Sequence, residues 1–188
     1  MKIILASASP RRKQLLKQLG LEFAISPSKI EEKLNPRLKP RTQAEVLSLQ
    51  KAEEVHSKNP DSLIISADTI VVLNEEILGK PKDEKDAKRM LKRLSGKTHR
   101  VVTGFTILGH KKKVVRSVET KVTFKKLNDK EVAKYILNEK PFDNAGSYRI
   151  QDLGAIFVEK IEGDYFNIVG LPLSTLAREL KRFGVKIL

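Results

Sequence analysis

The chain has no cysteine and no tryptophan, and only two methionines and three histidines in 188 residues. Without cysteine there is no disulfide, thiolate nucleophile, zinc finger or iron–sulfur cluster. The histidines do not suggest a histidine-rich metal centre. His99 in particular has no second His or Cys at ligand spacing. Aromatic residues make up 5% of the chain, so platforms for stacking bases are scarce. No apolar run approaches the roughly 20 residues that a membrane span needs. The opening Met1-Lys2 and the short apolar stretch after it fall below the roughly 7–15 residues of a signal-peptide core, and basic residues follow at once. That segment reads as a first strand, and the expected location is the cytoplasm. There is no GxxxxGK[ST] loop and no GxSxG elbow, so neither P-loop chemistry nor that serine-hydrolase arrangement is supported.

What the chain does carry is positive charge. Lys and Arg number 37 against 23 Asp and Glu, a net +14. Such an excess calls for an anionic partner: a nucleic acid, a nucleotide or an acidic surface. The basic residues are dispersed, with short clusters at Arg11-Arg12-Lys13, Lys111-Lys112-Lys113 and Lys181-Arg182. A hydrophobic fraction of 40% is enough to build a core and excludes general disorder. The length suits one core or two closely packed lobes in a single domain over residues 1–188.

The pattern of elements is mixed. Residues 2–6 read as a buried strand, and Ser9-Pro10 as the cap and first turn of a helix that Gly20 ends. Residues 23–25 suggest a short strand, and 26–41 a long loop. Thr42-Gln43-Ala44-Glu45 has the form of a capping box for a helix to about residue 56. Leu63 to Leu73 is the strongest strand signal. Asp83 can cap a helix to about Leu94. Residues 101–108 and 114–124 read as an antiparallel pair around Lys111. Asn128 with Glu131 caps another helix, residues 155–161 and 166–169 suggest a hairpin, and a last helix runs over about 174–183. The expectation is an α/β chain with a mixed sheet.

Several constellations could carry chemistry. Ser7-Ala8-Ser9-Pro10-Arg11-Arg12 joins a strand to a helix start, where hydroxyls, backbone N–H groups and two guanidinium forks favour a phosphate. An ordinary N-cap with two solvated arginines reads equally well. Asp68 and Thr69 interrupt an apolar strand. A buried carboxylate needs a cation, a metal or a water to act on, and the alternative is a salt bridge to a neighbouring helix. Lys80, in the stiff Gly79-Lys80-Pro81 loop, could meet a phosphate. Lys51, within a helix, reads as a surface charge. Glu31-Glu32 could hold Mg²⁺, although acidic pairs in loops are common. Gln151, after Ala145-Gly146-Ser147-Tyr148, could read a base edge.

Taken together, LASASPRR, ADTIVV, ILGKP, LSGKTHRVVTG, AGSYRIQ and NIVGLPL, in that order over nearly the whole chain, resemble the Maf family of nucleoside triphosphate pyrophosphatases. The resemblance implies an elongated, curved mixed β-sheet flanked by helices, with two lobes around a cleft, like the inosine-triphosphate pyrophosphatases. It implies hydrolysis of a nucleoside triphosphate to the monophosphate and pyrophosphate with Mg²⁺ or Mn²⁺. It further implies a cytoplasmic protein, often a homodimer, of a family linked in bacteria to septum inhibition. Carried over by position, Asp68 matches the general base. Ser7, Arg11, Lys51 and Lys80 match phosphate-binding positions, and Glu32 an acidic position tied to metal and catalysis. The specificity positions fall on Arg12, Thr69 and Gln151, a set that looks like the subfamily acting on dTTP and UTP. The 7-methyl-GTP subfamily carries other residues there. There is one departure: Arg149 and Asp152 flank Gln151 where relatives commonly have Gly, and their bulk and opposite charges bear on the loop that holds it. Two other classes stand beside this reading. A nucleic-acid-binding protein would use the +14 charge, but the dispersed basic residues weigh against it. A regulator that binds nucleotide without turnover is the other, and the presence of Asp68, Lys80, Arg11 and Arg12 together argues for turnover instead.

Overall fold

The computed structural model describes residues 2–187. Met1 and Leu188, the ends of the expected single domain, lie outside the described residues. β1 (Ile3–Leu5) is flanked by two parallel neighbours, β2 (Ala24–Ile25) and β3 (Leu63–Leu73). From β3 onward the sheet is antiparallel through β5 (Thr98–Leu108), β6 (Lys113–Phe124) and β7 (Val158–Glu162). A short β4 (Glu76–Leu78) folds back on the end of β3. Among the described residues this makes one seven-stranded mixed sheet, ordered β2-β1-β3-β5-β6-β7 with β4 beside β3. The α/β chain with a mixed sheet read from the sequence is the architecture observed.

Alternation along β3 decides which helix each residue meets. Leu63, Ile65, Ala67 and Val71 face the main core, shared with Leu15 and Leu16 of α1 (Pro10–Gln18) and Leu91 and Leu94 of α3 (Glu84–Leu94). The same core takes in Val132, Tyr135 and Ile136 of α4 (Asp129–Glu139) and Leu176 and Leu180 of α6 (Leu173–Lys181). Ile64, Ile70 and Val72 face the other way, onto Ala44, Ala52 and Val55 of α2 (Pro40–Ser57). Fully burying a Leu or Ile side chain contributes about 1.5–3 kcal/mol, and the sheet is held between helices on that basis. α3 shows how the sequence does this: Ala87, Met90, Leu91 and Leu94 are its buried residues, spaced as one face of a helix.

α2 is seated against the sheet by small residues. Gly104 of β5 pairs with Asp68 across the strands. A Cβ at Gly104 would lie 2.3 Å from the backbone C and O of Ala44. Only glycine lets the helix come this close. Ser66 Oγ donates to the Ser48 carbonyl at 2.6 Å, and the Ser48 and Thr106 hydroxyls meet at 2.9 Å, so the polar atoms of this seam are paired.

Some elements differ from the sequence reading. α2 begins at Pro40 with Lys39 at its N-cap and no side-chain cap, so the Thr42 capping box does not form. Proline at the first helical position, with φ already set, starts the helix two residues earlier. Residues 153–157 form a 3-10 turn rather than the start of a strand. Residues 166–169, expected as the second strand of a hairpin, lie in the helix α5 (Tyr165–Val169), capped by Asp164, which accepts from the Phe166 N–H at 2.8 Å. A five-residue apolar run has no periodicity long enough to separate helix from strand, and the cap decided it. By contrast, the Asn128–Glu131 capping box of α4 is present with both of its bonds.

Candidate active site

The switch from parallel to antiparallel neighbours at β3 leaves a cavity of about 800 Å³ beside that strand, bounded by the β1–α1 junction, the 26–39 loop and the 143–151 loop. Ser7, Arg11, Arg12, Glu32, Lys51, Asp68, Thr69, Lys80 and Gln151 all line it.

Asp68 is 6% exposed and points toward α2. Its Oδ1 accepts from Lys51 Nζ at 2.6 Å. Lys51 also meets Glu32 Oε1 at 2.7 Å, and Glu32 Oε2 lies 3.6 Å from Lys80 Nζ. Two carboxylates and two ammonium groups therefore alternate along one wall. Lys51 is no surface charge: at 7% exposure it is among the buried residues, held by the carboxylates on either side. The salt bridge to a neighbouring helix, open as an alternative for Asp68, exists in the Lys51 contact. It does not consume the carboxylate, because Asp68 Oδ2 accepts no protein hydrogen bond among the described residues. Burial acts to raise the Glu32 pKa, but the hydrogen bond from Lys51 and the charges of Lys51, Lys80 and Arg12 outweigh it and hold Glu32 below the usual carboxylate range.

On the opposite face of β3 lies Thr69. Arg12 donates from Nε to the Gly170 carbonyl at 2.9 Å, from Nη1 to Ser7 Oγ at 3.3 Å and from Nη2 to Thr69 Oγ1 at 3.0 Å. Three of the five N–H groups a guanidinium carries are thus committed, and the other two have no partner among the described residues. Thr103 Oγ1 must donate to the Asn167 carbonyl at 2.8 Å, so the 2.9 Å contact between the two threonines requires Thr69 to be the donor. Thr69 is left with acceptor capacity only. Arg11 makes no side-chain hydrogen bond to protein among the described residues. Burial and the nearby charge of Arg149 lower its pKa, against the opposing pull of Asp152 and Asp143. A guanidinium stays charged under such shifts, so Arg11 is a cation lining the cavity.

Gln151 projects from the loop after Gly146, which takes φ +67° against Val71. Its Nε2 donates to Asp152 Oδ2 at 3.0 Å. Tyr148, earlier in the same loop, is anchored by a 2.8 Å hydrogen bond between its hydroxyl and His99 Nε2, and it packs edge-on to His99 and Phe124. His99 is thus part of an aromatic cluster.

Among the described residues no group of three or more His, Cys, Asp or Glu could hold a metal unaided. Mg²⁺ is commonly held by one or two carboxylates with substrate phosphates completing its shell. Glu32 and Asp68, bridged by one ammonium group and lining one cavity, fit that pattern.

Sequence reasoning missed Gly104, Thr103 and Asn167. Gly104 brings α2, and with it Lys51, up to Asp68. Thr103 and Asn167 orient Thr69; Asn167 is fully buried and also donates to the Val101 carbonyl at 3.0 Å. An isolated glycine inside an apolar strand signals a close backbone approach, so Gly104 was findable. The other two gave no signal beyond their polarity.

Fold and site define an α/β protein whose cavity gathers cations and carboxylates. The chain belongs to the Maf family: the family profile, described as Maf-like protein, matches residues 2–183. A dTTP/UTP pyrophosphatase of Bacillus cereus is 48% identical over 186 residues, which is 99% of this chain and 97% of that protein. The dTTP/UTP pyrophosphatase of Bacillus anthracis is 47% identical over the same shares. Among solved structures, the Ham1 protein of Staphylococcus aureus overlaps 66% of this chain and 72% of its own, with 15% identity and a TM-score of 0.49.

Proposed function

We propose that this protein hydrolyses dTTP and UTP to the nucleoside monophosphate and pyrophosphate, the whole chain acting as one catalytic domain. The observation that carries the proposal is the alternating row Asp68, Lys51, Glu32, Lys80 on the wall of a cavity that Arg11 also lines. Relatives that share nearly half of the sequence bear that activity as their name.

A triphosphate brings several negative charges into the cleft, and Arg11, Lys51, Lys80 and the free N–H groups of Arg12 meet them. Ser7, already accepting from Arg12, directs its hydroxyl proton to a phosphate oxygen. A divalent cation, Mg²⁺ or Mn²⁺, would be held by Asp68 and Glu32, and when bound it neutralises phosphate oxygens and the leaving pyrophosphate. Asp68 orients a water and takes its proton at Oδ2, while Lys51 fixes the carboxylate through Oδ1. The water oxygen joins phosphorus, the anhydride bond to the bridging oxygen breaks, and pyrophosphate departs. Most of the acceleration is positioning and electrostatics by groups already in place. Gln151 reads the base edge, and Thr69 offers an acceptor while keeping Arg12 against the Gly170 carbonyl.

The test is to incubate pure protein with Mg²⁺ and, separately, dTTP, UTP, CTP, GTP, ITP and 7-methyl-GTP, and to assay pyrophosphate and orthophosphate. Pyrophosphate with dTMP or UMP is expected, with dTTP and UTP ahead. No pyrophosphate from any substrate, or a lead for 7-methyl-GTP, overturns the reading.

A further inference from the structure

Gln151 has an amide that can face a base in two ways, and its neighbours remove the choice. Its Nε2 sits 3.0 Å from Asp152 Oδ2. An ionised carboxylate only accepts hydrogen bonds, so the amide edge turned to Asp152 must be the NH₂. The carbonyl Oε1 accepts no hydrogen bond among the described residues, so it is free to turn to the cavity that Gln151 lines.

Asp152 is itself held in place. Arg149 Nη1 lies 3.5 Å from the same Oδ2. The Arg149 side chain also donates to Asn144 Oδ1 at 3.1 Å and to the Glu139 carbonyl at the end of α4, and it lies 3.8 Å from Glu139 Oε2. Its backbone N–H donates to the Tyr135 hydroxyl at 3.1 Å. The loop closes tightly over this hub: a Cβ at Gly154 would lie 2.5 Å from the Arg149 carbonyl oxygen. One arginine therefore joins α4, the 140–147 segment and Asp152.

We infer that Asp152, anchored by Arg149, is a specificity-determining positioning residue: it locks the Gln151 amide with its carbonyl toward the base. The inference rests on the dTTP/UTP reading above. Uracil and thymine present an N3–H donor between two carbonyl acceptors, and a fixed Gln151 carbonyl accepts from that N–H. Cytosine has a bare acceptor at N3 and would set lone pair against lone pair. A freely turning amide would offer its NH₂ to cytosine and lose the distinction. Asp152 touches no reacting atom, and it acts through Gln151.

The experiment compares kcat and KM for dTTP, UTP and CTP in the wild-type protein, Asp152→Asn, Asp152→Glu, Gln151→Ala and the double variant Asp152→Asn/Gln151→Ala. Asn is isosteric with Asp but can donate as well as accept, so it no longer dictates which way Gln151 turns. Asp152→Asn should lower the dTTP-to-CTP ratio of kcat/KM by about 3- to 10-fold, the value of one hydrogen bond, through KM rather than kcat. Asp152→Glu, which keeps an acceptor-only carboxylate, should retain more of the ratio than Asn does. In the Gln151→Ala background the Asn substitution should change nothing further. An unchanged ratio in Asp152→Asn, or an equal loss for all three substrates, overturns the inference while leaving the pyrophosphatase reading intact. If instead the wild-type protein turns over no pyrimidine triphosphate, the reading beneath it fails first.

Discussion

Replacing Asp68 by Asn should separate catalysis from folding in one side chain. Asp68 and Lys51 form a buried pair, with side chains 8% and 9% exposed and 2.6 Å apart. Breaking such a pair by removing one charge ordinarily costs about 3–5 kcal/mol, because the other charge is stranded. Here Lys51 keeps Glu32 at 2.7 Å, and Asn still offers an oxygen to accept its N–H. The loss reduces to the difference between a charge-assisted and a neutral hydrogen bond, about 1 kcal/mol. For a chain of this size that lowers Tm by about 2–4 °C. A proton acceptor for the attacking water, by contrast, is worth about 10²–10⁴ in rate. The assay is pyrophosphate release at saturating dTTP with Mg²⁺, beside a thermal melt of the same preparation. The expected result is a fall in kcat of at least about 100-fold with a fall in Tm of a few degrees. A kcat within about threefold of wild type would refute the role of Asp68 as base, since it lies well below the effect of a lost general base. A Tm loss beyond about 10 °C, several times the shift expected for this hydrogen bond, would show that its charge holds the fold.

Arg11→Ala and Lys80→Ala should each raise KM for dTTP, UTP and CTP by similar factors, because phosphates carry no base identity; a loss confined to one base in steady-state kinetics would assign that residue to base reading instead. Gly104→Ala should cost about 1–3 kcal/mol or more by overpacking, since the new Cβ falls 2.3 Å from the Ala44 backbone. It should also reduce kcat by moving Lys51 away from Asp68, and an unchanged melt would mean that α2 does not sit where the structure places it. His99 titrates at about 4, below its usual 6.5, because it is buried. The folded state resists a proton that the unfolded chain accepts, so stability is full above pH 6.5 and falls as pH drops toward 4, by about 3 kcal/mol in all at 1.36 kcal/mol per pH unit. Melts between pH 7 and 4 should show that slope, and His99→Gln should flatten it. An equal slope in the variant would assign the acid sensitivity to other groups.

Much of this protein was legible in one dimension. β3 from Leu63 to Leu73 is nearly all apolar, and it forms over those residues because a strand buried on both faces has to be. The Asn128–Glu131 box announces α4, because capping is a contract between residues three apart. The ordered motifs around Asp68, Lys80 and Gln151 were enough to suggest the family. Local sequence does not hold the contacts that turn those residues into a site. Lys51 reads as a surface lysine until Gly104, 53 positions away, lets α2 settle on the sheet and buries it between Glu32 and Asp68. Thr69 reads as one more polar residue in an apolar strand until the Asn167 carbonyl, on a segment that looked like a strand, accepts a hydrogen bond from the Thr103 hydroxyl and so fixes the direction of the bond between the two threonines. Periodicity and caps are properties of neighbours in the chain, so the sequence determined the elements. Burial, the pairing of a charge and the direction of a hydrogen bond depend on what a side chain meets from remote segments, so only the tertiary structure decided them.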